Sequence, residues 1–254
     1  MQKKGMLMGD GVAIEDGTRG LSEVERVVDV FVAPTKTFND ILRSASWWLP
    51  FVLLVVSTIG TAFMVDRQVG FDQAYQNQIH ASQRLQDRMA GLTPQQQAQG
   101  IRVGAMITRY VSYCAWIFVL LFLAFYSLIL WATFNVGLGA KTTFPQVFAV
   151  SMYSALPYLV TAILTMITLC FPGTAEGYDY KYPIGTSLAY FLPDTAPWLR
   201  ALLGSFDIVK IWCVVLQAIG MAVIAKKTIA QSAMVVGLYW FIGLFVAVIG
   251  GVFS

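Results

Sequence analysis

The sequence predicts an all-α membrane protein, a polytopic membrane helical bundle with five transmembrane helices led by amphipathic N-terminal helices. Five long apolar segments, 47–65, 110–134, 144–171, 206–225 and 229–253, are separated by polar or proline-marked breaks. A helix needs roughly 20 apolar residues to cross a hydrocarbon core. Backbone groups in lipid must be satisfied within the segment or in a closed barrel, so runs of this length mean helices. The chain is 57% hydrophobic and 12% charged, whereas soluble domains carry about 25% charged residues. With five spans and two sizeable loops, 254 residues leave no length for a separate soluble domain.

Residues 1–20 read as a polar tail. Lys3 and Lys4 are followed by Gly9, Asp10, Gly11, Glu15 and Asp16, where a cleavable signal would need an apolar core. Residues 21–46 read as two amphipathic helices. Ser22 and Glu25 have capping-box spacing, and Val24, Val27, Val28 and Phe31 recur at helical intervals. Pro34 ends this helix, and a second carries Phe38, Ile41 and Leu42 on one face. Such a pair suits the headgroup boundary, with apolar faces dipping into lipid; packing on the protein's own end is the alternative. Trp47, Trp48 and Pro50 open span one as an interfacial anchor.

The connection 66–109 is polar and rich in Gln. Phe71, Tyr75, Ile79 and Met89 predict a helix with a thin apolar stripe, broken at Gly91. Thr93 and Pro94 then start a helix that continues into span two. His80, the sole histidine, is expected to face solvent. In span three, Pro157 removes a backbone donor and predicts a kink, one turn after Tyr153 and Ser154. The segment 173–205 carries Tyr178, Tyr180, Tyr182, Tyr190 and Trp198, and is expected to lie on the membrane surface.

The net charge of +3, without a Lys/Arg cluster, gives no reason to expect nucleic acid. Cys114, Cys170 and Cys213 lie in or beside spans without CxxC spacing, and read as packing residues. No paired carboxylates, no His/Glu metal cluster and no phosphate-cradling loop are visible, so no metal, cofactor or catalytic residue is predicted.

Three sets of residues stand out as candidates. Asp207 and Lys210, three apart near the start of span four, predict an interfacial ion pair or a polar site. Gln217, deeper in the same span, needs a hydrogen-bond partner on another helix. Gly243, Ala247 and Gly251 recur every fourth residue in span five, with Ala233 and Gly237 before them. Small residues at this spacing let helices approach closely, within one chain or between copies.

An odd number of spans puts the termini on opposite sides. With the amino terminus in the cytoplasm, the inner segments hold nine Lys/Arg and the outer ones seven. The inner loops are the short ones, where the positive-inside rule applies best, and Lys226–Lys227 occupies the tightest of them. The expectation is a multi-pass protein of the cell (inner) membrane, N-terminus cytoplasmic and C-terminus outside.

With the segments located, the chain resembles the bacterial branch of the Yip domain family, five-span membrane proteins named as interactors of Ypt/Rab GTPases. Phe31, Pro34 and Phe38 match its lead-in, and Trp48 and Pro50 its first span. Phe144, Gln146, Tyr153 and Pro157 match a third-span phrase, here FPQVFAVSMYSALPYL. Thr186–Leu192 matches an outer-loop segment, and Ser205, Asp207, Ile211, Trp212 and Gly220 a fourth-span phrase. Lys210 departs from the apolar or aromatic residue more usual there. The resemblance covers 27–253 and implies a role through protein and lipid contacts, with no catalytic residues to carry over. The expected function is a non-enzymatic membrane scaffold or adaptor whose partners are membrane lipids and a second copy or other membrane proteins. The alternative is an accessory or pore-forming subunit of a transporter or channel.

Overall fold

The computed structural model describes residues 20–252, so the tail expected over 1–20 lies, except for Gly20, outside the described residues. The described chain is helical, without strands. In order, α1 (Glu23–Val32) and α2 (Pro34–Arg43) precede α3 (Trp48–Gln68), α4 (Phe71–His80) and α5 (Gln83–Ala90). Next come α6 (Pro94–Ala132), α7 (Phe144–Ser154), α8 (Tyr158–Leu169), α9 (Leu188–Phe191) and α10 (Pro197–Ser205). α11 (Ile208–Ala225) and α12 (Ile229–Val252) complete the chain. Five stretches are long and apolar enough to cross a membrane: α3, α6 with the turn after it, α7–α8 together, α11 and α12.

Local chemistry sets most boundaries. Ser22 and Glu25 form the expected capping box, with the Glu25 amide 3.2 Å from the Ser22 hydroxyl and the Ser22 amide 2.7 Å from the Glu25 carboxylate. Thr93 and Gln96 do the same for α6, which runs unbroken for 39 residues. It ends in one π-helical turn, Thr133–Gly137. There the Asn135 side chain bonds Thr142 three times and closes the return to α7. Lys226 ends α11 in the left-handed conformation, φ 53°.

Two predicted helices are divided. The stripe from Phe71 to Met89 is split at Ala81–Ser82, where the Ser82 hydroxyl caps Leu85 and starts α5. Span three is not merely kinked. α7 stops at Ser154 and α8 begins at Tyr158, with residues 155–157 forming a turn. Pro157 has no N–H to give, and the chain tightens to i→i−3 bonds at Leu156, Tyr158, Leu159 and Val160.

The main core gathers Val30, Phe38 and Ile41 of α1–α2 against Leu130 and Phe134, Val147 and Tyr153, and Leu216 and Met221. On the spans this contact gains van der Waals packing, since lipid is as apolar as the core. Gly220 makes this contact possible, since a Cβ there would lie 2.5 Å from Val150 and 3.0 Å from the Phe38 ring. The amphipathic pair therefore packs on the bundle. Its buried arc on α1 is Arg26, Val27, Val30 and Phe31, turned by about 80° from the predicted one at 100° per residue. Val24, Val28 and Val32 are left 66%, 56% and 75% exposed. Trp47 is drawn into the core against Phe51 and Phe148, and only Trp48 remains on the surface.

A second core closes the opposite end. Val65, Phe71, Ala74, Ala105, Leu169 and Tyr178 pack together, and the Asn77 amide bonds the carbonyls of Ala175 and Tyr178. The two long connections thus meet at one end of the bundle, called here the loop end. Tyr178 and Tyr182 are buried in protein, Tyr180 donates to the Ser112 hydroxyl, and Tyr182 donates to the Arg200 carbonyl. Burial raises the phenol pKa of all three tyrosines. Of the five aromatic residues expected at the membrane, Tyr190 and Trp198 are exposed, and Leu188, Phe191 and Leu192 are exposed beside them.

Candidate functional site

Two polar constellations interrupt the apolar bundle. The first fastens α1 and α2 to α7. Arg26, 1% exposed, places its guanidinium 2.6 Å from the Asp40 carboxylate and 3.5 Å from Glu23. The Tyr153 hydroxyl donates to Glu23 across 3.1 Å, and the Thr37 hydroxyl donates to the Arg26 carbonyl at 3.0 Å. Arg43 adds a further bond to Asp40 at 2.9 Å. Burial raises the Asp40 pKa, but the bonds from Arg43 and Arg26 outweigh it and hold the carboxyl below its ordinary value of 3.8. A charge as enclosed as Arg26 is tolerated only when paired and hydrogen-bonded. Sequence reading missed this network. The available signal was that Arg26 precedes the buried Val30 by one turn, and Asp40 adjoins Ile41.

The second is a crevice of about 410 Å³ between α6, the α7–α8 break, α11 and α12. Its lining includes Lys210, Gln217, Gly243 and Ala247, four of the residues singled out in the sequence. Ala155 and Tyr158 flank the Pro157 break on the same wall. Gln217 finds its partner on another helix: its amide donates to Ser151 at 3.3 Å, and Ser127 donates to Ser151 at 2.8 Å. α6 and α12 are bridged at one level by the 2.6 Å hydrogen bond between Thr133 and Tyr239. The rim residues Phe122, Tyr158, Gly243 and Ala247 are exposed, so the crevice opens sideways, where lipid would lie.

The expected Asp207–Lys210 ion pair is not formed. Asp207 sits just before α11 as its N-cap, accepting from the amides of Val209 at 2.9 Å and Lys210 at 3.1 Å. Its other oxygen accepts from Thr186. A carboxylate satisfied by helix-terminal amides has its best partner already. Lys210 turns toward the loop end and donates to the Gly204 carbonyl at 2.7 Å. Gly251 is also apart from the crevice: it lies against α10, where a Cβ would be 2.8 Å from the Pro197 carbonyl oxygen and the Trp198 Cα. Around Gly237 and Gly243 the same construction meets nothing.

Of the cysteines, Cys114 and Cys170 are exposed, not packed, while Cys213 lines the crevice. Among the described residues, no three His, Cys, Asp or Glu side chains gather as a metal site requires. A wider polar basin of about 1020 Å³ lies at the loop end, lined by His80, Tyr178, Asp179, Tyr190 and Arg200 among others. His80 is exposed there, and the Arg200–Asp179 ion pair spans its wall.

Five apolar helices around an interior of this kind define a multi-pass integral membrane protein. The family model of the Yip1 domain matches residues 28–250, nearly the whole chain, and the protein belongs to that family. No curated protein and no solved structure matches it.

Proposed function

We propose that this protein is a non-enzymatic membrane scaffold or adaptor of the bacterial branch of the Yip family, acting through protein and lipid contacts. The observation that carries the reading is the mounting of α1 and α2. The Arg26–Asp40–Glu23–Tyr153 network fixes them to the bundle, while Val24, Val28 and Val32, with Leu42 and Trp48, stay exposed. An apolar stripe held rigidly on a polar-cored clamp is a device for contact, not for chemistry. It suits the headgroup boundary of a bilayer. α12, the least enclosed of the five spans, offers a surface for a second copy or another membrane protein. The amino terminus and the short turns face the cytoplasm in this reading, following their Lys and Arg.

Extraction into native-lipid particles followed by mass measurement tests it. The expected result is a particle holding more than one copy, or a second membrane protein in fixed stoichiometry. A single chain with no partner at any expression level contradicts the proposal. The reading as a transporter subunit is favoured only by Lys210 and Gln217 facing one crevice. A flux assay on reconstituted vesicles decides it; solute flux through wild type that is lost in Lys210→Met would establish it, and no flux through wild type would exclude it.

A further inference from the structure

The crevice beside α12 has a chemistry that selects an occupant. Lys210 is the one charged residue on its lining, and the remaining walls are largely apolar, with Leu123, Val214, Trp240 and Leu244. Lys210 is the third residue of α11, so its Cα lies only about 3–5 Å along the helix from the loop end at 1.5 Å per residue. Its side chain extends further toward that end, reaching the Gly204 carbonyl. This is the level at which a lysine in a membrane reaches headgroups. An ammonium has three N–H donors, and one is given to Gly204. The neighbouring Asp207 carboxylate is taken up by two backbone amides and Thr186.

Charge separates a lipid from a helix. Lys210 is the one charged residue facing a crevice that opens sideways, and it calls for an anionic group at that level. The exposed span α12 of a second copy carries no charged residue to meet it. An extended hydrocarbon chain is narrow enough to run the length of the crevice. From Lys210 to Gln217 is seven residues, about 10 Å of depth.

We propose that the crevice holds one anionic glycerophospholipid, its phosphate on the Lys210 ammonium and an acyl chain laid between α6, α11 and α12. This deepens the function proposed above by naming the lipid class that one part of the scaffold engages, and it rests on the lipid-contact half of that reading.

The test is native mass spectrometry of the full chain in mild detergent, titrated with phosphatidylglycerol or with phosphatidylcholine. Wild type is expected to bind one phosphatidylglycerol saturably and more tightly than phosphatidylcholine. Lys210→Gln removes a charge-assisted contact and should weaken phosphatidylglycerol by about tenfold while leaving phosphatidylcholine unchanged. Gly243→Phe fills the crevice from a position whose surroundings are open, and should abolish binding of both; Ala247→Phe repeats this from the next turn. Unchanged thermal midpoints identify the variants as folded. Non-saturable binding to wild type, or saturable binding unaltered in the folded variants, overturns the proposal. Particle mass and partner stoichiometry are not read here, so failure of the lipid site is distinguishable from failure of the scaffold reading.

Discussion

At the scale of single residues, Arg26 shows how a polar group is kept inside an apolar bundle. Its guanidinium meets Asp40, whose side chain is 11% exposed, and Glu23, which in turn accepts from Tyr153. Removing one partner leaves the other charge enclosed, which costs about 3–5 kcal/mol. Arg26→Met and Asp40→Leu are therefore each expected to lower the thermal midpoint. Asp40→Leu should do so more sharply, because Arg43 still pairs Asp40 when Arg26 is gone, while the two changes together recover most of the loss. A double-mutant cycle in detergent measures this, and equal, additive losses would show that the pair is not coupled. The pH dependence has a fixed sign. Because the Asp40 pKa is depressed in the fold, its contribution is complete above 3.8 and is lost as pH falls through the lower folded-state value. Asp40→Asn should flatten that acid limb. Gly220 gives a second prediction. Alanine gains up to about 1 kcal/mol of helix propensity, yet its Cβ would press on Val150 and Phe38, and overpacking costs about 1–3 kcal/mol. Gly220→Ala is expected to destabilise. Several residues that carry the family resemblance prove to be interior contacts: Phe31 on Trp212, Phe38 on Gly220, Tyr153 on Glu23 and Asp207 on Thr186.

At the scale of elements, hydropathy located the apolar spans and capping boxes marked the starts of α1 and α6, because both are local properties of sequence. Length was legible for α6, whose Thr93–Gln96 box and apolar run form one helix. The rotation of α1 was not, since Val24 and Val28 are as apolar as Val27 and only the partner helices decide which face is covered. Nor was the fate of Asp207 and Lys210: spacing put them on one face, but the free amides at the start of α11 captured the carboxylate. The small residues of α12 divide by use. Gly251→Leu should weaken packing of α10 on α12, whereas Gly243→Leu, facing open space, should leave the thermal midpoint unchanged. Equal effects would mean that the fourfold spacing acts as one seam. Lys226, held at φ 53°, is a strained helix end, and Lys226→Gly should stabilise by up to about 1 kcal/mol in the same assay.

At the scale of the whole molecule, the organisation follows from where polar atoms are satisfied. One end joins short turns to the clamped pair α1–α2 and the main core. The other joins the two long connections through Asn77 and the second core. Between them, hydroxyls such as those of Ser57, Thr58, Thr61 and Thr165 bond back to carbonyls of their own helix, while Gln217, Ser151 and Ser127 are bonded across helices. Span number, order and the helical class of the described residues were legible because a bilayer constrains sequence over long windows. The crevice was only half legible. Its residues were marked individually, but that Lys210, Gln217, Gly243 and Ala247 line one crevice depends on how α11 and α12 pack beside the break at Pro157. The central claim is that five helices cross the bilayer and divide these two ends. Single cysteines at Lys226, in the short turn, and at Asp194, in the long connection, test it in a cysteine-free background. With an impermeant thiol reagent on intact cells, Asp194→Cys should label at once and Lys226→Cys only after permeabilisation. Labelling of both positions from the same side would contradict the account.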